Sequence, residues 1–594
     1  MSVEPAPQTP RAVQELAERR RRLTLLGVVF GLGFASIGLR LLDMVDWRRE
    51  LQESPSALAP VATAVAEPTP SPEDAAPVYR AEITDRNGEL LATNVLVPSL
   101  YLDPSVLTDR EGTARKLAST LSEVDEKQLL ERFRPKRHFA WVKHQITPEE
   151  QRAVLELGIP GIGFKNAPHR VYPKRELTSH VVGFVNIDSQ GLAGVERAMD
   201  DRLSAGASKG PLALGLDLRV QQIVREELFS AFVRFRAKGA SAIVLDTATG
   251  EVLSMVSLPD FDPNHPDEAS DDQRLNRNTG GTYELGSLLK VFTSAMALDS
   301  GTVPLTRSFD ATQPFAVGRH LIHDDHAKRR WLSVPECFMY SSNICMAQMA
   351  FAAGGAKAMQ PFFEKVGFLE KPDIELPQAE LGNPQIPKRW PDITVATASF
   401  GHGIAISPFQ YVSGMAGLVS GPRWVKPTLL RREPGDFVAS LPSPVSARTE
   451  ADLRWLLWLT VQKGTGEKAK QANYLIGGKT GTADKPGLKG QGRGYHTGAV
   501  LASFIGVFPV EAPRYLVLVL LDEPHGDASS KGLHYAAWTA APVVGVIVDR
   551  IGPLLGVRPS DPKANDAFAE RLVVTKLEGR KEERLAALGS RAAR

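Results

Sequence analysis

The chain has 594 residues with 43% hydrophobic and 23% charged residues, and its 70 Lys+Arg against 68 Asp+Glu leave a net charge of +2. This suits a folded protein of several domains and excludes a wholly disordered or collagen-like chain. A nucleic-acid binder would carry a basic excess, so no nucleic-acid partner is expected.

In chain order, residues 1–22 end on Arg19-Arg20-Arg21-Arg22 and read as a cytoplasmic tail. Leu23 to Leu39 is a run of 17 uncharged residues, at the short end of a bilayer span; Leu41, Leu42 and Met44 extend it to 23–44, with Arg40 snorkelling. The positive-inside rule places everything after about residue 45 outside the cytoplasm. Ala-x-Ala patterns occur at 62–66, late for signal cleavage, so an uncleaved single-pass anchor is predicted. Residues 45–78, with six prolines between 52 and 78, read as an extended spacer.

A first globular region is expected over 79–215. Arg80 to Ala92 reads as strand, Asn-Gly turn, strand, and Pro148-Glu149-Glu150-Gln151 as a helix start. A second, over 216–560, begins with a helix at 219–236 and a hairpin built from Ala240 to Asp246 and Glu251 to Leu258. Helical patterns follow to about 420, then strands at 473–478, 499–508 and 514–521. Strands at both ends of a region with helices between them predict an α+β fold, one mainly antiparallel sheet with packed helices. The charged tail 561–594 reads as a solvated helix from 566. Were the segment between Cys337 and Cys345 a single helix, the two would stand roughly 12 Å apart, too far to bond.

Three short motifs occur in order: Ser287-Leu-Leu-Lys290, Ser341-Ser342-Asn343 and Lys479-Thr480-Gly481-Thr482. Ser-x-x-Lys alone is weak, since Ser560 to Lys563 repeats it, but the other two occur once each. On a helix, i and i+3 share a face, so Lys290 can reach the Ser287 hydroxyl. Burial among Leu288, Leu289, Val291 and Phe292 would lower the lysine's pKa and make it a general base, and Ser287 an activated nucleophile for acyl transfer. Ser341 can relay a proton and Asn343 can hold a peptide carbonyl. Lys479, following a strand over Tyr474–Gly478, offers a cation to a substrate carboxylate, with the Thr480 and Thr482 hydroxyls in support. Gly481 lets a substrate backbone pair along the strand edge. Backbone N–H groups of Ser287 and Thr482 form the expected oxyanion hole.

This ordered triple is shared by β-lactamases and penicillin-binding proteins. Over roughly residues 20–550 the chain resembles class B penicillin-binding proteins, most of all the division-specific FtsI-type peptidoglycan D,D-transpeptidases. Arg80 to Gly88 is similar to the family's Arg-Gly-x-x-x-Asp-Arg-x-Gly motif, with Ala81 for the glycine. Arg170-Val-Tyr-Pro173, Ser179-His-Val-Val-Gly183 and Gly191-Leu-Ala-Gly-Val-Glu196 resemble its later non-catalytic motifs. Leu285 stands where Glu-Pro-Gly-Ser is commoner, and Ser399 to Gly403, Ser503 to Gly506 and Asp522-Glu-Pro524 also fit.

The resemblance implies a penicillin-binding transpeptidase fold on an elongated N-terminal pedestal. Ser287 would attack the D-Ala–D-Ala bond of a stem pentapeptide, release D-Ala and pass the acyl group to an amine of a neighbouring stem, cross-linking the wall. β-Lactams would acylate the same serine. It implies an FtsW-type glycosyltransferase and other division proteins as partners, and a place in the bacterial inner membrane at the septum, catalytic domain outside. An elongation-specific transpeptidase, a β-lactamase or D,D-carboxypeptidase on the same site, and a silent division scaffold are the alternatives. Arg80, Asp85, Arg86, Arg170 and Glu196 are expected to lock the domain interface. His320, His323, Asp324, Asp325 and His326 have ligand chemistry but fit no zinc spacing, and the serine mechanism needs neither metal nor cofactor.

Overall fold

The computed structural model describes residues 79–572, except 135, 434, 436–438 and 487–494. The predicted anchor and spacer lie outside the described residues, among which no helix is long and apolar enough to cross a membrane.

The N-terminal part opens with the predicted hairpin. β1 (Ile83–Thr84) pairs antiparallel with β2 (Leu90–Leu102) across a turn where Gly88 takes φ +88°. Helices α1 (Arg110–Thr120) and α2 (Glu126–Arg132) follow, then β3 (Ala140–His144), α3 (Pro148–Glu156) and β4 (Ile162–Val171). β3 and β4 both pair antiparallel with β2. Asp109, Asp125 and Thr147 cap the three helices, Thr147 in a reciprocal capping box with Glu150, as the Thr-Pro-Glu-Glu stretch foretells. Leu100, Leu102, Leu117, Leu129 and Phe133 form the core between sheet and helices.

The polar motif residues divide between two tasks. Glu196, fully buried, accepts from Arg80 Nε at 2.5 Å and Arg170 Nε at 2.7 Å, so this triad locks the N-terminal part to itself. Asp85 and Arg86 instead reach the C-terminal part: Asp85 accepts from the Leu218 amide at 3.1 Å, and Arg86 pairs with Glu251 at 3.3 Å. Glu196→Ala would leave the buried Arg170 guanidinium without its acidic partner, while Arg80 keeps Asp200 at 2.7 Å, a loss of about 3–5 kcal/mol. Its expected signature is a lowered thermal midpoint with protease cleavage concentrated before residue 215; an unchanged midpoint would show the triad to be energetically neutral.

β5 (Leu212–Ala213) runs parallel to β1 and leads into α4 (Leu218–Arg234) and the hairpin β6 (Gly239–Asp246), β7 (Val252–Leu258). Later come α5 (Lys290–Asp299), α6 (Val334–Met339), α7 (Asn343–Ala352) and α8 (Ala447–Lys463). The strands β8 (Gly477–Pro486), β9 (Tyr495–Phe508) and β10 (Tyr515–Asp522) precede α9 (Ala540–Leu554). One antiparallel sheet joins both ends of this part in the order β8-β9-β10-β6-β7. Apolar cores lie on both faces: α4 and α9 pack on one, α5 and most of α8 on the other. Burial on both faces explains why β10, Tyr-Leu-Val-Leu-Val-Leu-Leu-Asp, shows no polar alternation.

Three expectations need correction. The strand placed at 473–478 begins at Gly477 and runs through the Lys-Thr-Gly-Thr segment, so Lys479 lies within a strand, not after one. Pairing with β9, from Gly477↔Val507 to Asp484↔Val500, imposes that conformation on a stretch of weak β preference. The segment between the cysteines is two helices broken at residues 340–342, not one helix; the Cα atoms stand 5.7 Å apart and the sulfurs are joined. Residues 562–572 are helical but not merely solvated: the indoles of Trp455 and Trp458 donate to the Phe568 carbonyl at 3.0 Å and to Asn565 at 3.1 Å.

Candidate active site

Ser287 sits on a 3₁₀ turn, Gly286–Leu289, that continues directly into α5. The expected α-helical start is thus a 3₁₀ turn, in which residues three apart eclipse. Gly286 is required there: its φ is +53°, and a Cβ would meet the Thr482 carbonyl at 2.8 Å. The turn is thus seated against β8, bringing together Ser287 and Thr482, whose amides are the expected oxyanion donors. Gly481 has a different reason from the expected one. A Cβ there would strike the Leu285 carbonyl and the Leu288 side chain, each at 2.7 Å, so the glycine lets strand and turn touch. β8 is an edge strand, and its outer rim still offers backbone groups for pairing.

The α6–α7 break supplies the third wall. Ser341 takes φ +59°, a left-handed conformation that costs a non-glycine residue and needs outside support. Lys290, fully buried, gives that support: its Nζ donates to the Ser341 carbonyl at 2.5 Å, the Ser341 hydroxyl at 3.1 Å and Asn343 Oδ1 at 2.7 Å. Its ammonium is therefore turned to this break instead of to the Ser287 hydroxyl. Lys479, equally buried, donates to the same Ser341 hydroxyl at 3.0 Å and to the Thr480 carbonyl at 3.0 Å. With both lone pairs of Ser341 Oγ taken, its one proton is left to give away. Thr480 shares a 2.7 Å hydroxyl–hydroxyl bond with Thr465, and Thr482 Oγ1 accepts from the Ala536 amide at 3.2 Å.

Burial pushes Lys290 down to about 8, with Asp324 and Asp325 opposing. Burial and then repulsion from Lys290 hold Lys479 well below the usual lysine range. Two ammoniums around one hydroxyl disfavour each other, so either lysine gives up its proton more readily here than a solvated lysine does.

Asp324 was legible only as part of the His-Asp-Asp-His run. Its carboxylate accepts from Ser342 Oγ at 2.7 Å and from the Ile344 amide at 3.0 Å, anchoring the first turn of α7, while Asn343 Nδ2 donates to the His323 carbonyl at 3.0 Å. No group of His, Cys, Asp or Glu among the described residues is arranged to hold a metal ion.

Comparisons with known proteins agree with this architecture. Residues 240–545 match the penicillin-binding protein transpeptidase domain and residues 75–210 the penicillin-binding protein dimerisation domain. A probable peptidoglycan D,D-transpeptidase FtsI of Caulobacter vibrioides is 38% identical over 486 residues, covering 81% of this chain and 82% of that one. The peptidoglycan D,D-transpeptidase FtsI of Escherichia coli K12 is 29% identical over 514 residues, covering 81% and 84%. Penicillin-binding protein 3 of Mycobacterium tuberculosis, solved in complex with aztreonam, shares the fold with a TM-score of 0.64 at 22% identity, over 82% of this chain and 98% of that one. With a transpeptidase domain behind a dimerisation domain, and with its resemblance to the FtsI proteins over four-fifths of its length, the chain belongs to the class B penicillin-binding proteins.

Proposed function

We propose that the chain is a septal peptidoglycan D,D-transpeptidase that binds penicillins covalently. The observation that carries this reading is the meeting of the Ser287 turn, the Ser341–Asn343 break and the Lys479–Thr482 edge strand around two buried lysines. Neutral Lys290 takes the proton of Ser287 Oγ, which attacks the carbonyl of the penultimate D-Ala. The amides of Ser287 and Thr482 receive the oxyanion. As the C–N bond breaks, the leaving D-Ala amine takes the Ser341 proton, replaced from a neighbouring ammonium. An amine of a second stem then enters by the reverse path, gives up its proton and leaves with the acyl group, freeing Ser287.

Substrate lies along the outer rim of β8 as an added strand. Asn343 Nδ2 keeps a second hydrogen for a peptide carbonyl, and Lys479 with the Thr480 and Thr482 hydroxyls takes the terminal carboxylate, whose arrival favours the charged lysine. In this reading 79–215 is the pedestal, 216–560 the transpeptidase domain and 561–594 a C-terminal tail. Residues 23–44 hold the protein in the inner membrane beside an FtsW-type glycosyltransferase, with 1–22 in the cytoplasm and 45–78 as spacer. β-Lactams acylate Ser287 as substrate mimics.

The test is purified full-length protein given a D-Ala-D-Ala stem pentapeptide and a D-amino acid acceptor. One transfer product per D-Ala released is expected; release with water as the acceptor would make the protein a carboxypeptidase. A fluorescent fusion absent from the septum would assign it to elongation.

A further inference from the structure

The break that carries Ser341 and Asn343 is closed covalently. Cys337, on α6, and Cys345, on α7, are joined across a separation of eight residues, with Ser341-Ser342-Asn343 inside the loop. Both cysteines are fully buried in the main core, so the bridge is fixed at each end in packed structure. It is also tied to the break at its ends by hydrogen bonds: the Ser342 amide donates to the Cys337 carbonyl at 2.9 Å, and the Cys345 amide donates to Ser342 Oγ at 3.1 Å.

We propose that the Cys337–Cys345 bridge is a positioning device for the transpeptidase reaction, holding Ser341 and Asn343 at the distances from Lys290 and Lys479 that acylation needs. This rests on the function proposed above. The left-handed Ser341 is the reason such a device is useful. Relaxing that residue to an ordinary conformation would swing its carbonyl and hydroxyl off Lys290 and its hydroxyl off Lys479, removing three of the hydrogen bonds that organise the site. The remaining restraints on the break are non-covalent, among them the Asp324 carboxylate and the Lys290 ammonium itself. The lysine cannot both serve as a mobile base and act as the main tether of Ser341. A covalent clamp between the two helices frees it for the first task.

Formation of the bridge balances as thiol–disulfide exchange outside the cytoplasm. A thiolate of one cysteine attacks the disulfide of an exchange oxidoreductase, forming a mixed disulfide. The second thiolate then displaces the oxidoreductase as its dithiol, the two cysteine protons passing to the released thiolates.

The experiment uses full-length protein in detergent. N-ethylmaleimide is added in denaturant, with and without prior reduction, and intact mass is read. No added label before reduction and two labels after it are expected; two labels without reduction overturn the proposal. In the Cys337→Ala/Cys345→Ala protein, the second-order rate of benzylpenicillin acylation is expected to fall at least tenfold at a temperature where the fold is intact. Amide exchange of residues 340–344 is expected to quicken, with the other core helices unchanged. Wild-type protein reduced in mild denaturant and refolded should show the same loss, and oxidised glutathione should restore the rate. A lowered thermal midpoint with acylation and exchange at 340–344 unchanged would make the bridge a stability element only and overturn the proposal. If wild-type protein takes up no penicillin at all, the transpeptidase reading fails, while the label count and the exchange of 340–344 still decide whether the bridge holds the break.

Discussion

In the Ser287→Ala protein the benzylpenicillin adduct is expected to vanish from the intact-mass spectrum, while wild-type protein keeps it for many minutes. Ser287 stands on the turn seated against β8, and in the proposed reaction its own amide and that of Thr482 receive the oxyanion. The other hydroxyl in the site, Ser341 Oγ, cannot replace it. It accepts from two lysines at once and is held in a left-handed turn, so its oxygen has no lone pair free for attack. An adduct that survives in Ser287→Ala would move the nucleophile to Ser341. An adduct that forms on Ser287 and clears within seconds would describe a β-lactamase built on the same residues.

Lys290→Ala is expected to slow acylation by about 10²–10⁴-fold, the range that a positioned general base supplies. The pH profile separates this role from a structural one. Burial brings Lys290 from the usual lysine range down to about 8, and the base must be neutral to take the Ser287 proton. The wild-type rate should therefore rise with pH up to and through about 8, then level, and fall roughly tenfold for each pH unit below it. In Lys290→Ala the residual rate should be flat across that window. A variant that keeps the same rise would assign the titration to another group, with Lys479 the first to examine.

The residues of the site were legible in the sequence because acyl transfer constrains residue types and short spacings, and both are local properties. Ser287 and Lys290 are three residues apart in the chain, although the Lys290 ammonium faces the Ser341 break, which no local spacing foretells. The hairpin at 239–258 and the start of α3 were equally plain, since a turn or a cap is written in a few adjacent residues. The β8 strand was misplaced by several residues for the converse reason. Its conformation is imposed by β9, whose sequence lies beyond a separate segment, and Gly-Gly-Lys-Thr-Gly-Thr has little strand preference of its own.

The same division holds for the two cysteines and for the C-terminal segment. Composition could not decide whether Cys337 and Cys345 meet, because that depends on a chain reversal at Ser341 made by a residue with no glycine signature. The charges of 561–594 suggested solvent, yet Phe568 stacks on Trp458 with ring centroids 5.4 Å apart, a contact between elements more than a hundred residues distant. What the sequence determined by itself was the set of residues proposed to carry the chemistry: the Ser287–Lys290 turn, the Ser341–Asn343 break and the Lys479–Thr482 strand, each encoded within a few consecutive residues. What only the tertiary structure decided was their mutual setting. The sharing of one hydroxyl by two buried lysines, the clamp across the Ser341 break and the anchoring of α7 by Asp324 all arise from packing and hydrogen bonds between distant segments. Such contacts depend on three-dimensional distance, which local spacing does not carry.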